Sequence, residues 1–282
     1  MSKEVIISPR GERVREELAD ADAWGSYAAE LRRLLGVVIK KSGADFLEVG
    51  ELSVYEPLPD RHIGLRNGSK VEFRQALDLV EGMAAGNGPY CRLSVPGRLQ
   101  VEPGWDGAIH VYTTRSAAAD LMRAHGESVL LRWHDANPEP MAVSEPVGAV
   151  ADEDFWVTVA QLSERFTLLC ERWAHGAQGC RWFHVTRENV ADLARLMRPR
   201  SLVHVVGDPD LRAGSELLED DFTAFMAPLL PGELVHRAYP GGADTLSEVT
   251  GAGFSLMLAD SAMGDRCAVV PDSDEPRRRT KW

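Results

Sequence analysis

The stretch CERWAHGAQGCRWFH, Cys170 to His184, spaces its cysteines and histidines as C-x4-H-x4-C-x3-H, residue types that hold zinc. Zinc needs four ligand atoms about 2.0–2.3 Å from one point, so the donors must converge. Alternation in CRWFHV predicts a strand with Cys180, Trp182 and His184 on one face. A strand advances about 3.3 Å per residue and so separates Cys180 from His184 by about 13 Å, too far for one ion. Cys170 falls on an apolar stripe, as a core thiol would, and His175 lies in the helix-ending AHGAQG. No metal site is therefore expected from this spacing.

Acid–base chemistry has other candidates. Asp208 and Asp210 follow the apolar run HVVG, and carboxylates at strand ends could share a divalent cation or act as acid and base. The same G-D-P-D is also ordinary turn chemistry. Histidine suits proton transfer near neutral pH, and His110, His134, His184 and His204 all fall in strand-like runs, where a hydrogen-bonded structural role is the commoner one. Were the chain an enzyme, His184, Asp208 and His134 would be its acid–base groups. His184, Val185 and Thr186, followed by a helix, locally resemble the H-x-T start of ADP-ribosyltransferases, a family that uses such a histidine to hold NAD. The downstream Tyr and Glu of that family's site have no counterpart here, so no cofactor is carried over. Phosphate-loop, dinucleotide-fold, nucleophile-elbow and H-E-x-x-H motifs are all missing from the sequence.

Binding chemistry concentrates in PGWDGAIHVYTT, where Trp105, Asp106, His110 and Tyr112 lie close together. Trp and Tyr anchor interfaces because they bury much area while keeping a polar handle. Glycines on both sides place Trp105 in or beside a turn, from which it either projects outward or folds back onto its own core.

The elements that must position these residues are mixed. Trp24, Tyr27, Leu31, Leu34 and Leu35 recur at helical spacing in residues 23–41, with Arg32 and Arg33 on the other side. FLEVGELSVYEPLP and HIGLRNG read as strands closing on an Asn-Gly turn, VEFRQALDLVEGMAAGNG as a helix ended by glycines, SAAADLMRAHG as a helix and SVLLRWHD as a strand. Residues 90–114 supply short strands with turns at Pro96-Gly97 and Pro103-Gly104. Phe155, Val159, Leu162, Phe166, Leu169 and Trp173 predict one long helix after the acidic start Asp152-Glu153-Asp154. Strand, helix and strand follow in CRWFHV, RENVADLARLM and SLVHVVG, then a helix near EDDFTAFMAPLL and strands at ELVHRAY, GFSLMLAD and CAVVPD.

This pattern predicts α+β or α/β architecture in two mixed domains: residues 1–135, a Pro-rich linker over 136–152, residues 153–276, and a basic tail at 277–282. A faint echo between the segments starting at Val71 and Val185 suits similar halves, and equally two unrelated amphipathic helices.

At 282 residues and 44% hydrophobic the chain can bury a sizeable core, and no apolar run is long enough for a membrane helix. The charged N-terminus lacks a signal peptide's apolar stretch, and four scattered cysteines read as reduced thiols, so a cytoplasmic protein is expected. The preference for Arg over Lys and the abundance of Ala, Gly and Asp suit a high-GC bacterium. A net charge of −12 argues against nucleic acid as a partner. With no complete catalytic motif, the expectation is an acidic protein-binding module, in concrete form an inhibitor or immunity-type protein covering a basic partner. The alternative is an enzyme of bacterial specialised metabolism with an interdomain pocket.

Overall fold

Alternation at period two builds the first sheet. In the computed structural model, which describes residues 3–10, 21–136, 149–250, 253–260 and 266–272, strand β1 (Lys3–Pro9) buries Val5 and Ile7 while Glu4 and Ile6 face the other way. The chain divides into two compact units, Met1–Val143 and Ser144–Trp282. Most of the expected linker and all of the basic tail lie outside the described residues.

The first unit runs β1, α1 (Ala21–Ser42), β2 (Phe46–Ser53), β3 (Lys70–Glu72), α2 (Phe73–Ala84), β4 (Tyr90–Val95), β5 (Leu99–Pro103), β6 (Ile109–Thr113), α3 (Arg115–Ala124) and β7 (Val129–Asp135). Its seven-stranded sheet has the order β3-β2-β4-β5-β6-β1-β7, and every pairing is antiparallel. The helices pack on one face, where Val5, Ile7, Leu93, Val101, Ile109 and Val111 are buried with Leu31, Leu35, Val80 and Leu121. Each such side chain contributes about 1.5–3 kcal/mol by leaving water. Helix α1 lies between the other two helices, and its Arg32 bonds Asp78 (2.8 Å) and Glu81 (2.6 Å) of α2.

HIGLRNG does not form the expected strand. Asp60–His62 make a short 3-10 turn, and the buried side chain of Asn67 takes a strand's place by accepting from Leu52 N at 2.8 Å. Regular pairing with β2 starts only at Lys70.

The second unit contains α4 (Glu153–Leu162), β8 (Thr167–Arg172), β9 (Cys180–Val185), α5 (Val190–Leu196), β10 (Leu202–Gly207), β11 (Phe222–Met226), β12 (Gly232–Leu234), β13 (His236–Tyr239), β14 (Phe254–Leu258) and β15 (Arg266–Val269). A five-stranded sheet, β12-β9-β8-β10-β15, carries both helices on one face through Leu169, Phe183, Val203 and Val205. Its other face meets the three-stranded sheet β13-β11-β14 through Trp182, whose ring packs edge-on against Phe225 at 5.3 Å.

That layering overturns two expectations. The long helix over residues 155–173 stops at Leu162: Ser163 Oγ donates to Ala160 O, Thr167 Oγ donates to Leu162 O at 2.8 Å, and β8 begins. The helix expected near EDDFTAFM is β11. Both strands are covered on both faces, so TLLCE and FTAF are buried without interruption and show no period of two. The sequence resemblance of such runs to a helical stripe is a coincidence of spacing. Asp152 does cap α4, accepting from Phe155 N at 3.1 Å.

One carboxylate is fully enclosed by this sheet. Glu171 of β8, 0% exposed, accepts from Arg181 Nε at 2.6 Å, Arg198 N at 2.5 Å and Ser201 Oγ at 3.0 Å.

Candidate functional site

The helix-free face of the seven-stranded sheet carries the side chains that alternate with its core residues. Glu4 on β1 stands directly opposite Tyr112 of β6 and His134 of β7. His110 Nδ1 donates to Glu4 Oε1 at 2.5 Å, and His134 Nε2 stands 2.7 Å from Glu4 Oε2 as an ion-pair contact. Two imidazoles thus share one carboxylate. The Tyr112 hydroxyl reaches both Glu4 and Glu102 of β5, and Arg92 of β4 bridges Glu102 at 3.2 Å and Glu51 of β2 at 2.8 Å. Gln100 Nε2 adds a bond to Glu102 at 3.1 Å. The network therefore crosses β2, β4, β5, β6, β1 and β7, a width of about 24 Å at roughly 4.8 Å per strand.

Burial pushes the Glu4 carboxyl up, but hydrogen bonds from His110 and Tyr112 and the two imidazole charges outweigh it and hold it below the ordinary glutamate value. A depressed carboxylate contributes stability that is present above its unfolded pKa and lost as pH falls through its folded pKa. Wild type is therefore expected to exceed Glu4→Gln in stability at neutral pH, with the difference closing in acid below about pH 4. Denaturant titrations of both proteins across pH check this, and a difference that stays constant into acid contradicts it.

Beside this face, the β5–β6 connection, residues 104–108, holds a tight turn with two central residues. Asp106 and Gly107 have φ of 53° and 77°, and Ala108 N donates to Trp105 O at 3.0 Å. Two left-handed central residues suit a type I′ hairpin and explain Asp-Gly there. Tyr27 of α1, buried, donates its hydroxyl to Gly107 O at 2.6 Å and pins the turn to the helix layer. Trp105 enters this fixed turn and is 89% exposed. A Cβ at the neighbouring Gly104 would lie 2.6 Å from His110 Nε2 and would force the His110 ring to shift.

No family model, curated protein or solved structure matches the chain. Functional argument therefore rests on the geometry.

The remaining nominated residues do not join the network. His184 of β9 lies against the Phe166 ring at 4.9 Å, its Nδ1 buried without a hydrogen-bond partner, and burial lowers its pKa. Asp208 bonds Arg165 at 2.9 Å while Asp210 bonds Arg212 at 2.6 Å, so each carboxylate has its own guanidinium. Among the described residues no group of three or more His, Cys, Asp or Glu side chains is arranged to hold a metal. No helix among them is long and apolar enough to cross a membrane. A cavity of about 350 Å³ lies between residues 53–59 and 86–90, lined in part by Tyr55, Pro57 and Tyr90, and none of the nominated residues reaches it.

Sequence spacing put Cys170 and Cys180 forward, and they do meet, although with neither His175 nor His184. The hairpin between β8 and β9 sets Cys170 opposite Trp182 and Arg172 opposite Cys180, so the two cysteines are diagonal neighbours on one face. His236, the first residue of β13, is the third member, its Nε2 at 3.7 Å from Cys180 Sγ. Sequence reasoning missed Glu4 and His236 because both reach their partners through distant strand pairing.

Proposed function

We propose that the protein binds a protein partner through the helix-free face of its seven-stranded sheet, with Trp105 as the anchor at the rim. The observation that carries this reading is the combination of a polar network fixed across six strands and an indole held 89% exposed on a pinned turn. Ordering such groups on binding costs little conformational entropy, since rigid strands and paired side chains already hold them. A standard interface takes about 800 Å² per partner, an area that a face about 24 Å wide supplies over a few residues of strand length. Aromatic anchors ringed by polar groups are where binding energy concentrates.

In this reading the chain is a cytoplasmic bacterial inhibitor or immunity-type protein, and its net charge of −12 speeds encounter with a basic target. A second reading, an enzyme using His134 as a base oriented by Glu4, draws on their 2.7 Å contact. It ranks lower because that pair stands on a sheet face and not in the cavity at residues 53–59 and 86–90. Native mass spectrometry of the protein isolated gently from its own cells tests the choice. A bound polypeptide supports the binding role; a bound small molecule with no polypeptide favours the enzyme.

A further inference from the structure

Three reactive groups in the second unit take no part in the proposed binding face. Cys170 and Cys180 are diagonal neighbours on one face of β8 and β9. His236 Nε2 stands 3.7 Å from the Cys180 sulfur. Around them Leu168, Trp182, Val206, Phe225 and Leu234 exclude bulk water. The two sulfurs differ in access: Cys170 is 1% exposed and Cys180 is 8% exposed.

We propose that Cys170 and Cys180 are a peroxide-oxidised dithiol, in which Cys180 is the attacking thiol, Cys170 the resolving thiol and His236 the proton carrier.

A thiolate is the reactive form of cysteine, and it forms where a donor and a cation stand beside the sulfur. At Cys180 the neighbouring Cys170 thiol, His236 and Arg172 together hold the pKa below the ordinary thiol value despite burial. Cys170 sits deeper, where burial holds its own proton on. Cys267 is partly exposed, yet burial without such partners raises its pKa to about 11, and that of Cys91 to about 12. Exposure thus favours Cys267 and thiolate character favours Cys180; oxidation follows both, and the first attack is assigned to the thiolate.

The chemistry balances with a hydroperoxide as oxidant. The Cys180 thiolate attacks the terminal peroxide oxygen, an S–O bond forms, the O–O bond breaks, and the departing oxygen takes a proton from His236 to leave as alcohol or water. The Cys170 sulfur then attacks the Cys180 sulfenic acid, an S–S bond forms, and water leaves with the Cys170 proton. Two thiols lose two electrons and the peroxide gains them. Cys180 is the more open of the two residues, so peroxide meets it first.

The test uses the full chain, reduced, freed of reductant and treated with hydrogen peroxide, after which remaining thiols are alkylated and the peptides mapped by mass. The expected product lacks two hydrogens, joins the peptides of Cys170 and Cys180, and leaves Cys91 and Cys267 alkylated. His236→Gln is expected to slow its formation by about tenfold with the fold intact by circular dichroism. Cys170→Ser is expected to leave a Cys180 sulfenic acid that a cyclic β-diketone traps. Oxidation of Cys267 ahead of Cys180, or Cys170 and Cys180 left unlinked, overturns the proposal. The wild-type map decides even where a variant fails to fold. An unchanged rate in folded His236→Gln also overturns it.

Discussion

Glu171→Ala is expected to lower folding stability by about 3–5 kcal/mol, the largest effect of any single substitution considered, because it strands a buried cation. The Glu171 carboxylate, 0% exposed, is the acceptor for Arg181 Nε, Arg198 N and Ser201 Oγ. Removing it leaves Arg181, whose side chain is only 16% exposed, beside a void and takes the acceptor from Arg198 N, while Ser201 Oγ keeps its bond to Arg198 O; an unsatisfied buried polar group costs about 1–3 kcal/mol. Its position magnifies the effect: Glu171 is on β8, the middle strand of the five-stranded sheet, and its partners come from β9 and from the segment entering β10. Denaturant unfolding of the two proteins measures the difference. A loss under about 1 kcal/mol would mean that the ion pair contributes no more than a surface pair does.

Trp105→Ala is expected to separate folding from binding. An indole 89% exposed buries almost nothing within its own chain, so stability should change by less than about 0.5 kcal/mol. Partner affinity should fall by about 30-fold or more, corresponding to at least 2 kcal/mol for an aromatic anchor. His134→Ala, at the other end of the network, should weaken binding less, because its side chain is 55% exposed and shares Glu4 with His110. Isothermal titration of the purified pair measures both. Equal affinity for wild type and Trp105→Ala would remove the anchor from the account.

The parts of the fold legible in the sequence are those where one face is buried and one is not. Tyr27, Leu31, Leu34 and Leu35 mark α1 by their spacing, and LQVEP alternates as a one-sided strand does, whereas the consecutive Val5, Ile6 and Ile7 of β1 show no alternation in the sequence. Mixed helix and sheet follows from such segments, and the structure has it, with five α-helices among the described residues and antiparallel sheets. Two-sided strands defeat the same reasoning. TLLCER lies between a helix layer and a second sheet, so burial erases the alternation that identifies a strand, and FTAF repeats the case.

The candidate site was legible only as an inventory. His110, Tyr112 and His134 stood out by residue type, but the group that joins them, Glu4, is 106 residues from His110 in sequence. Which strands flank β1 is decided by the packing of three helices against the sheet, and no local pattern encodes it. The cysteine pair is the converse. The spacing of Cys170 and Cys180 was visible, whereas the hairpin that makes them neighbours and the strand that brings His236, 56 residues from Cys180, were not.

The most direct test of the binding face places a photo-reactive amino acid at position 105 and, as a control, at position 123 on α3, whose side chain is 74% exposed on the helix side of the same sheet. Irradiated in its own cells, the protein carrying the probe at 105 is expected to form one discrete adduct with a polypeptide of defined mass, and the protein carrying it at 123 is not. Equal labelling from both positions, or none from 105, would contradict the assignment of this face.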